Sequence, residues 1–215
     1  MQITDRDIEI LLWINRMRFV TAKQVSKKFK IGIKSAYRVL KRLCDDRFLY
    51  HSRSYMFEPG VYLCTKRGKR ISGSTLWVPE RPSEYLDKAL YKHTLAVVDL
   101  SIELEKLGGW ISERELRKGH KFNEMVPDGV LVKDNKKVAI EVELTLKSNK
   151  RLDKKIEYYK GCIDYYEVWY FVESEAIFEA VKKRVYNLLF VKIYYLKEAK
   201  GTDFTFSLCL NQKSE

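Results

Sequence analysis

PDGVLVKDNKKVAIEVELTLKS, residues 127–148, is the stretch of sequence that decides how the second part of this chain folds. Two strand-like runs flank the polar segment DNKK, so the stretch predicts a β-hairpin. The second run alternates between two faces for ten residues, and Glu141, Glu143 and Lys147 share one of those faces. Asp128 precedes the first run, so the hairpin is expected to bring it close to the same end as the glutamates.

Paired acids of this kind suit a divalent cation. Glu141 and Glu143 are two residues apart on one strand face, which separates them by about 7 Å. Together with Asp128 they offer three carboxylates that could converge on Mg²⁺, or on Mn²⁺ as its substitute, and leave positions open for water. A strand with one wet face would carry the same residues without any function, so the pattern alone leaves both interpretations open.

The rest of this part of the chain predicts alternating helices and strands. Helices are expected over residues 84–107, 149–161 and 174–187. Besides the hairpin, three apolar runs predict strands: WISERELR (residues 110–117), YEVWYFV (166–172) and LFVKIYYL (189–196). The order αβββαβαβ favours a mixed sheet covered by helices, with the aromatic runs in its core and in part of a dimer interface.

Positive charge is concentrated in the first third of the chain. Residues 1–78 hold 17 Lys and Arg against 6 Asp and Glu, a net of +11, whereas residues 79–215 hold 24 against 23, a net of +1. This asymmetry is typical of a nucleic-acid-binding module joined to a near-neutral domain, and solubility alone does not require it.

Three short helices followed by a hairpin are expected in this basic part. The first two begin at capping-box patterns, Thr4 with Asp7 and Thr21 with Gln24, and the third runs from Ile33 to Asp46. Two strands joined through Pro59-Gly60 follow, and then the sequence TKRG opens a basic helix. This order resembles a winged helix-turn-helix, in which the third helix enters the major groove of double-stranded DNA and the wing touches phosphates.

The resemblance implies two sets of DNA-binding residues. Those expected near base edges, on the third helix, are Lys34, Ser35, Tyr37 and Arg38. Those expected at phosphates are Lys41, Arg42, Arg53, Lys66 and Arg67. A winged helix that binds proteins, with its basic face merely solvated, is the alternative. Duplex RNA is a further partner, although no aromatic stacking platform favours it.

The chain is interpreted as two domains without a membrane segment. We place the DNA-binding domain at residues 1–75, a linker at 76–84 and the second domain at 85–215. No apolar run reaches the roughly 18 residues that a membrane span needs, and the N-terminus has no signal-peptide core, which predicts a cytoplasmic protein.

The cysteines predict neither a disulfide framework nor a zinc site. Their positions are scattered, with no Cys-x-x-Cys spacing: Cys44, Cys64, Cys162 and Cys209. We interpret them as reduced core thiols.

The acid pattern resembles the motif of the PD-(D/E)XK nucleases. Pro127-Asp128, twelve further residues and then Glu141-x-Glu143 match its spacing, and the αβββαβ core has the expected order. The resemblance implies that Asp128 and Glu141 bind metal. The motif has a lysine where this chain has Glu143, so Lys147 on the strand and Lys154 or Lys155 on the following helix are the candidates for a migrated lysine.

A narrower resemblance covers residues 5–172. The basic winged helix, then HTLAVVDLSIELE, WISERELR, PDGVL…VAIEVELTLKS and RLDKKIEYY, resemble the replication-relaxation family. That resemblance implies a protein of a plasmid or mobile element that is linked to replication and DNA relaxation. His93, Glu113 and Glu115 fall where the family pattern has polar residues. A structural hydrogen bond is the simpler role for His93, and Glu113 could add an acid to the metal cluster.

Two functions follow, and the structure can separate them. In the first, the chain is a metal-dependent endonuclease or nickase. In the second, an inactive nuclease fold serves as a dimeric DNA-binding regulator of replication or transcription. Convergence of the three carboxylates favours the first, and pairing of Glu143 with Lys147 or Lys155 favours the second. Crowded acids should also show a raised pKa. A covalent relaxase mechanism through Tyr158 or Tyr159 is disfavoured, since no His-rich metal motif accompanies them.

Overall fold

A computed structural model of the chain describes residues 3–53, 55–81, 86–121 and 124–200. The chain divides into two compact units, Met1–Val98 and Asp99–Glu215. In the described ranges each unit contains one β-sheet, so the protein is a mixed α/β protein. The predicted linker, residues 76–84, includes residues 82–85, which lie outside the described residues, and the predicted boundary remains a prediction.

The first unit combines short helices with a small antiparallel sheet. Its helices are α1 (Asp5–Arg16), α2 (Ala22–Lys28), α3 (Ile33–Asp45), α4 (Lys66–Ser72) and the first part of α5 (Lys88–Leu104). Its strands are β1 (Val20–Thr21), β2 (Leu49–Ser52) and β3 (Val61–Cys64). The strands lie in the order β1-β3-β2, so β3 is central.

Local sequence signals place the ends of these helices. The predicted capping boxes of α1 and α2 are both formed, through Thr4 with Asp7 and Thr21 with Gln24. The side chain of Thr65 accepts a 3.0 Å hydrogen bond from the Gly68 amide and caps α4. A Cβ at Gly68 would lie 2.2 Å from the carbonyl oxygen of Phe48, so only glycine allows this approach of α4 to the strands.

Two features of the first unit differ from the predictions. Val20 and Thr21 form a strand that pairs with Tyr62 and Val61, although no strand was predicted there. Two residues are too short a run to show a strand period, so this strand could not be predicted from the sequence. The connection between β2 and β3 is also a longer loop than a turn at Pro59-Gly60 requires, since Ser52 pairs with Val61.

The second unit is a five-stranded mixed sheet with helices between its strands. After the last part of α5 come β4 (Gly109–Ser112), α6 (Glu113–Leu116), β5 (Gly129–Lys133), β6 (Lys136–Glu143), α7 (Asn149–Gly161), β7 (Glu167–Val172), α8 (Glu175–Val185) and β8 (Val191–Tyr195). The sheet order is β4-β5-β6-β7-β8. The pairs from β4 to β6 are antiparallel and those from β6 to β8 are parallel.

The predicted hairpin is formed by β5 and β6. Its turn residues, Asp134 and Asn135, both have positive φ, 50° and 59°, as a two-residue hairpin turn requires. On its other side β5 pairs with β4, where the ring of Trp110 covers Gly129. A Cβ at Gly129 would lie 2.0 Å from that ring, so the close packing needs a glycine.

Two of the predicted strands are shorter in the structure. WISERELR is a strand only to Ser112, and then becomes α6, because Ser112 and Glu115 form a capping box that starts a helix. The ten-residue strand predicted to end at Lys147 stops at Glu143. Lys147 therefore lies in the loop before α7 rather than on the strand.

The aromatic strand runs lie in the core, as predicted. Tyr170 and Phe171 of β7 are fully buried. One buried cluster joins the sheet to α7 and α8; among its members are Ala139, Leu152, Ile156, Tyr170 and Val181. No helix in the described part of the chain is long and apolar enough to cross a membrane.

Candidate functional site

The acids of the opening hairpin lie near the carboxyl end of β6, without forming a group of three carboxylates arranged for a metal ion in the described residues. Gly129 pairs with Ile140, which places Asp128 beside the stretch that holds the glutamates. The Oδ2 atom of Asp128 accepts a 2.8 Å hydrogen bond from the amide of Val142, which lies between the two glutamates. The predicted proximity of Asp128 to this end of the hairpin is therefore confirmed.

Both glutamates are buried, which excludes a wet strand face. Glu141 is 0% exposed and Glu143 is 2% exposed. Strand β6 is the middle strand of the sheet, so both of its edges are paired. Its last six residues are all buried, so both of its faces are covered at this point. A buried carboxylate costs several kcal/mol unless charged or hydrogen-bonding partners compensate it. These side chains therefore need partners, and they have them.

Lys155 of α7 is the central partner. Its Nζ atom lies 2.6 Å from Oε2 of Glu141 and 3.1 Å from Oε1 of Glu143. Lys147 adds a second ammonium, 2.6 Å from Oε2 of Glu143. Lys154, the other candidate for a migrated lysine, is exposed on α7. Glu143 thus forms the two ion pairs that were named as favouring a binding function.

Tyr159 completes the cluster, and the sequence analysis did not assign it this role. Its hydroxyl donates a hydrogen bond to Oε1 of Glu141, and the side chain is buried. Lys155 and Tyr159 are four residues apart on α7, so they share a helix face. That spacing is a signal in the sequence, but it does not say which strand the face packs against.

The electrostatics of the cluster follow from its burial. The pKa of Glu141 is raised to about 7, chiefly by burial and also by the charge of Asp128, against the lowering effects of the Lys155 charge and of the hydrogen bonds from Lys155 and Tyr159. Burial lowers the pKa of Lys155, but the charges of Glu141, Asp128 and Glu143 outweigh it and raise that pKa well above its usual range. Near neutral pH, Lys155 is charged and Glu141 titrates. The expected raised pKa among crowded acids is present.

The carboxylates of this cluster are suitable ligands for a hard divalent cation, but Lys155 lies against two of them. Carboxylate oxygens are the ligands that Mg²⁺ and Mn²⁺ take in proteins, and Asp128, Glu141 and Glu143 supply them. Within the described ranges, however, no three His, Cys, Asp or Glu side chains form a group arranged to hold a metal ion. The Lys155 ammonium lies against both glutamates, so a cation at those oxygens requires this lysine to shift.

The third helix of the first unit exposes a basic face. The buried side of α3 is formed by Ala36, Leu40 and Leu43. The residues expected to contact base edges all lie on its exposed side: Lys34, Ser35, Tyr37 and Arg38. Lys41 is exposed there too, where it pairs with Asp45 at 3.7 Å.

The other residues expected at phosphates have varied surroundings. Arg42 pairs with the buried carboxylate of Asp7, which ties α3 to α1. Lys66 pairs with Glu80, and the guanidinium of Arg67 lies 4.9 Å from the ring centroid of Phe48. Arg53 is exposed beyond the end of β2. Arg42 thus has a structural ion pair that the sequence analysis did not foresee, because its partner is 35 residues away.

The other polar candidates have local structural contacts. Glu115 caps α6, and Glu113 lies 3.3 Å from Arg117. His93 is half-buried on α5.

The described cysteines are free thiols. Cys64 is buried, whereas Cys44 and Cys162 are half-buried. Burial raises the pKa of Cys44 to about 11, so this thiol stays protonated. Cys209 lies outside the described residues.

Comparison with known proteins gives one family. The model of the replication-relaxation family matches residues 11–170, which includes most of both units. No curated protein and no solved structure matches the chain.

Proposed function

Because the chain belongs to the replication-relaxation family, we propose that it is a DNA-binding protein that acts in the replication of a plasmid or other mobile element. Its first unit binds double-stranded DNA, and its second unit is a nuclease-like domain that cleaves or nicks DNA with a divalent cation. The observation that carries the second half of the proposal is the cluster of Asp128, Glu141, Glu143 and Lys155 at the end of β6, in which both glutamates are buried.

The first unit is a winged helix-turn-helix in this proposal. Support comes from the element order α1-β1-α2-α3-β2-β3 and from the sheet order β1-β3-β2. Helix α3 has one apolar buried side and one exposed basic side, as a helix that lies in the major groove needs. The net charge of +11 over residues 1–78 supplies attraction to phosphates.

In this proposal one set of residues of the first unit contacts bases and another contacts the phosphate backbone. Lys34, Ser35, Tyr37 and Arg38 face base edges. Lys41, Arg53, Lys66 and Arg67 face the backbone, where each contact adds affinity that salt weakens. Arg42 joins them only if its guanidinium reaches a phosphate while it still pairs with Asp7.

In the second unit the acids hold the cation and Lys155 supports the chemistry. Asp128 and Glu141 are the ligands, with Glu143 beside them. A bound Mg²⁺ would neutralise charge on a phosphodiester and lower the pKa of a bound water. Lys155 keeps its proton at neutral pH because its pKa is raised, so its role is electrostatic: it stabilises negative charge on the phosphate rather than removing a proton. Tyr159 orients Glu141 through its hydrogen bond.

A second candidate function is supported by the ion pairs of Glu143. Lys147 and Lys155 already neutralise the negative charge of the buried glutamates, as a bound cation would otherwise do. In that case the second unit has no catalytic activity and serves as a scaffold for a homodimer. The chain then regulates replication or transcription by binding DNA. The PD-(D/E)XK resemblance would then reflect ancestry alone.

A calorimetric titration with Mg²⁺ and Mn²⁺ distinguishes the two functions. Wild-type protein should bind a cation, and Asp128→Asn should weaken that binding at least about tenfold, because it removes a charged ligand. The matched control is Asp134→Asn: Asp134 is exposed in the turn of the same hairpin, and asparagine tolerates its positive φ. Equal binding by both variants, or no binding by any protein, would leave only the second function.

A further inference from the structure

Two large apolar side chains stand out of the first unit at one loop. The loop joins β2 to β3, and its tip residues Met56 and Phe57, called the wing tip below, are 82% and 96% exposed. Single exposed apolar residues are common on protein surfaces. Two neighbours that both project from the tip of one loop, on a strongly basic unit, need a specific explanation.

The loop is anchored on both sides of the tip. On one side, the hydroxyl of Tyr55 donates a 2.7 Å hydrogen bond to the carbonyl of Leu86. On the other, the hydroxyl of Tyr91 donates to the carbonyl of Pro59. The rings of Tyr55 and Tyr91 also meet edge to face, with centroids 5.0 Å apart. Tyr55 and Tyr91 thus hold the flanks of the loop against the unit, while the side chains of the wing tip project into solvent.

The backbone of the tip is held in an uncommon conformation. Phe57 has a φ of 70°, in the left-handed region, which costs a residue with a side chain of order 1 kcal/mol or more. The amide of Glu58 donates to the carbonyl of Tyr55 at 3.3 Å and closes the turn. The fold therefore maintains the exposed position of Phe57 against a local cost.

The charges beside the tip favour a polyanion. Arg53 is exposed on the β2 side of the loop. The acid on the other side, Glu58, is compensated by Lys92, whose Nζ atom lies 3.5 Å away. A lipid surface or an apolar protein groove would also accept Met and Phe. Duplex DNA is favoured because the same unit exposes a basic helix face on α3, as a helix that lies in the major groove needs.

We propose that the wing tip is an apolar wedge that enters the minor groove of duplex DNA and unstacks one base step. The proposal rests on the DNA-binding function proposed above and adds a mode of contact to it. Phe and Met are side chains that minor-groove proteins insert between bases, and each unstacked step costs a few kcal/mol and kinks the duplex. Pyrimidine–purine steps such as TpA unstack most easily, so the wedge should prefer them.

The test uses full-length protein in EDTA, so that cleavage does not interfere, and short duplexes with 2-aminopurine at a TpA step. Binding of wild type should raise the 2-aminopurine fluorescence, because the base loses its stacking partner. A donor–acceptor pair at the duplex ends should also report a shorter distance. Met56→Ser combined with Phe57→Ser should bind about tenfold more weakly and lose both signals. Phe57→Trp should keep them.

Arg53→Ala is the matched control in the same loop. It should reduce the slope of log affinity against log salt by about one and keep the fluorescence rise. Salt-dependent binding by wild type without any fluorescence change would overturn the wedge and leave DNA binding intact. A serine variant that unstacks DNA as well as wild type would do the same. Absence of salt-dependent binding would overturn the DNA-binding function and the wedge together.

Discussion

At the scale of single residues, contacts between distant parts of the sequence compensate buried carboxylates. Lys155 and Tyr159 of α7 contact the buried Glu141 of β6. In the first unit, Arg42 of α3 pairs with the buried Asp7 of α1. Loss of either contact would leave a buried charge uncompensated, which is costly.

The hydrogen bond from Tyr159 is one of the contacts that lower the pKa of Glu141. Burial raises that pKa from 4.5 to about 7, and the tyrosine bond opposes the rise. Tyr159→Phe should therefore raise it by about one further unit, since a hydrogen bond to a charged group contributes about 1.5–3 kcal/mol. Asp128 and Lys155 also face Glu141, but Lys155 stays charged over this range and does not add a transition.

The sign of the effect on stability follows from proton linkage. A carboxyl whose pKa is higher in the folded state binds protons preferentially there, so its contribution to stability falls as pH rises from 4.5 towards 7. In Tyr159→Phe this fall should continue to about one pH unit higher, as measured by thermal unfolding across pH. Tyr158→Phe, at the neighbouring half-buried position, is the control and should follow wild type. Identical profiles for both variants would contradict the assigned hydrogen bond.

At the scale of elements, the sequence predicted those with strong local signals. The capped helices α1 and α2, helix α7 and the hairpin of β5 and β6 were predicted from caps, period and turn residues. Strand β1 was missed because it is too short to show a period. The predicted end of β6 lies four residues beyond its actual end at Glu143. The apolar–polar alternation of the sequence continues past Glu143 into residues that do not pair in the sheet.

Close packing of α4 on the strands gives a test at this scale. Gly68→Ala should destabilise the first unit by about 2–4 kcal/mol, because its Cβ would lie 2.2 Å from the Phe48 carbonyl oxygen and the backbone would have to move. Gly32→Ala is the matched control: no atom lies within 4 Å of its Cβ, and loss of a glycine N-cap should cost under about 1 kcal/mol. Thermal unfolding that ranks Gly32→Ala as the worse variant would contradict this packing.

At the scale of the whole molecule, two units of different character share one chain. The first concentrates positive charge and exposes a basic helix face, and the second buries two glutamates at the end of a central strand, where partly exposed lysines pair with them. Composition predicted a strongly basic first part and a near-neutral second part, because an excess of lysine and arginine is visible in the sequence whatever the fold.

Only part of the candidate site could be predicted. The acids Asp128, Glu141 and Glu143 follow from their spacing on a predicted hairpin. Their partners Lys155 and Tyr159 do not, because they come from a helix whose position on β6 depends on the packing of the whole sheet. Whether a cation or Lys155 lies against the acids was not predictable either, since it depends on distances of a few ångströms.

The measurement that tests the account most directly is incubation of supercoiled plasmid with full-length protein in Mg²⁺, in Mn²⁺ and in EDTA. Wild type and Asp134→Asn should nick or linearise the plasmid only with a divalent cation, and Asp128→Asn should not. Plasmid retardation on a gel by all three proteins would show that binding is equal. No cleavage by wild type under conditions where it retards the plasmid would contradict the nuclease function, and the buried acids would then be part of the scaffold alone.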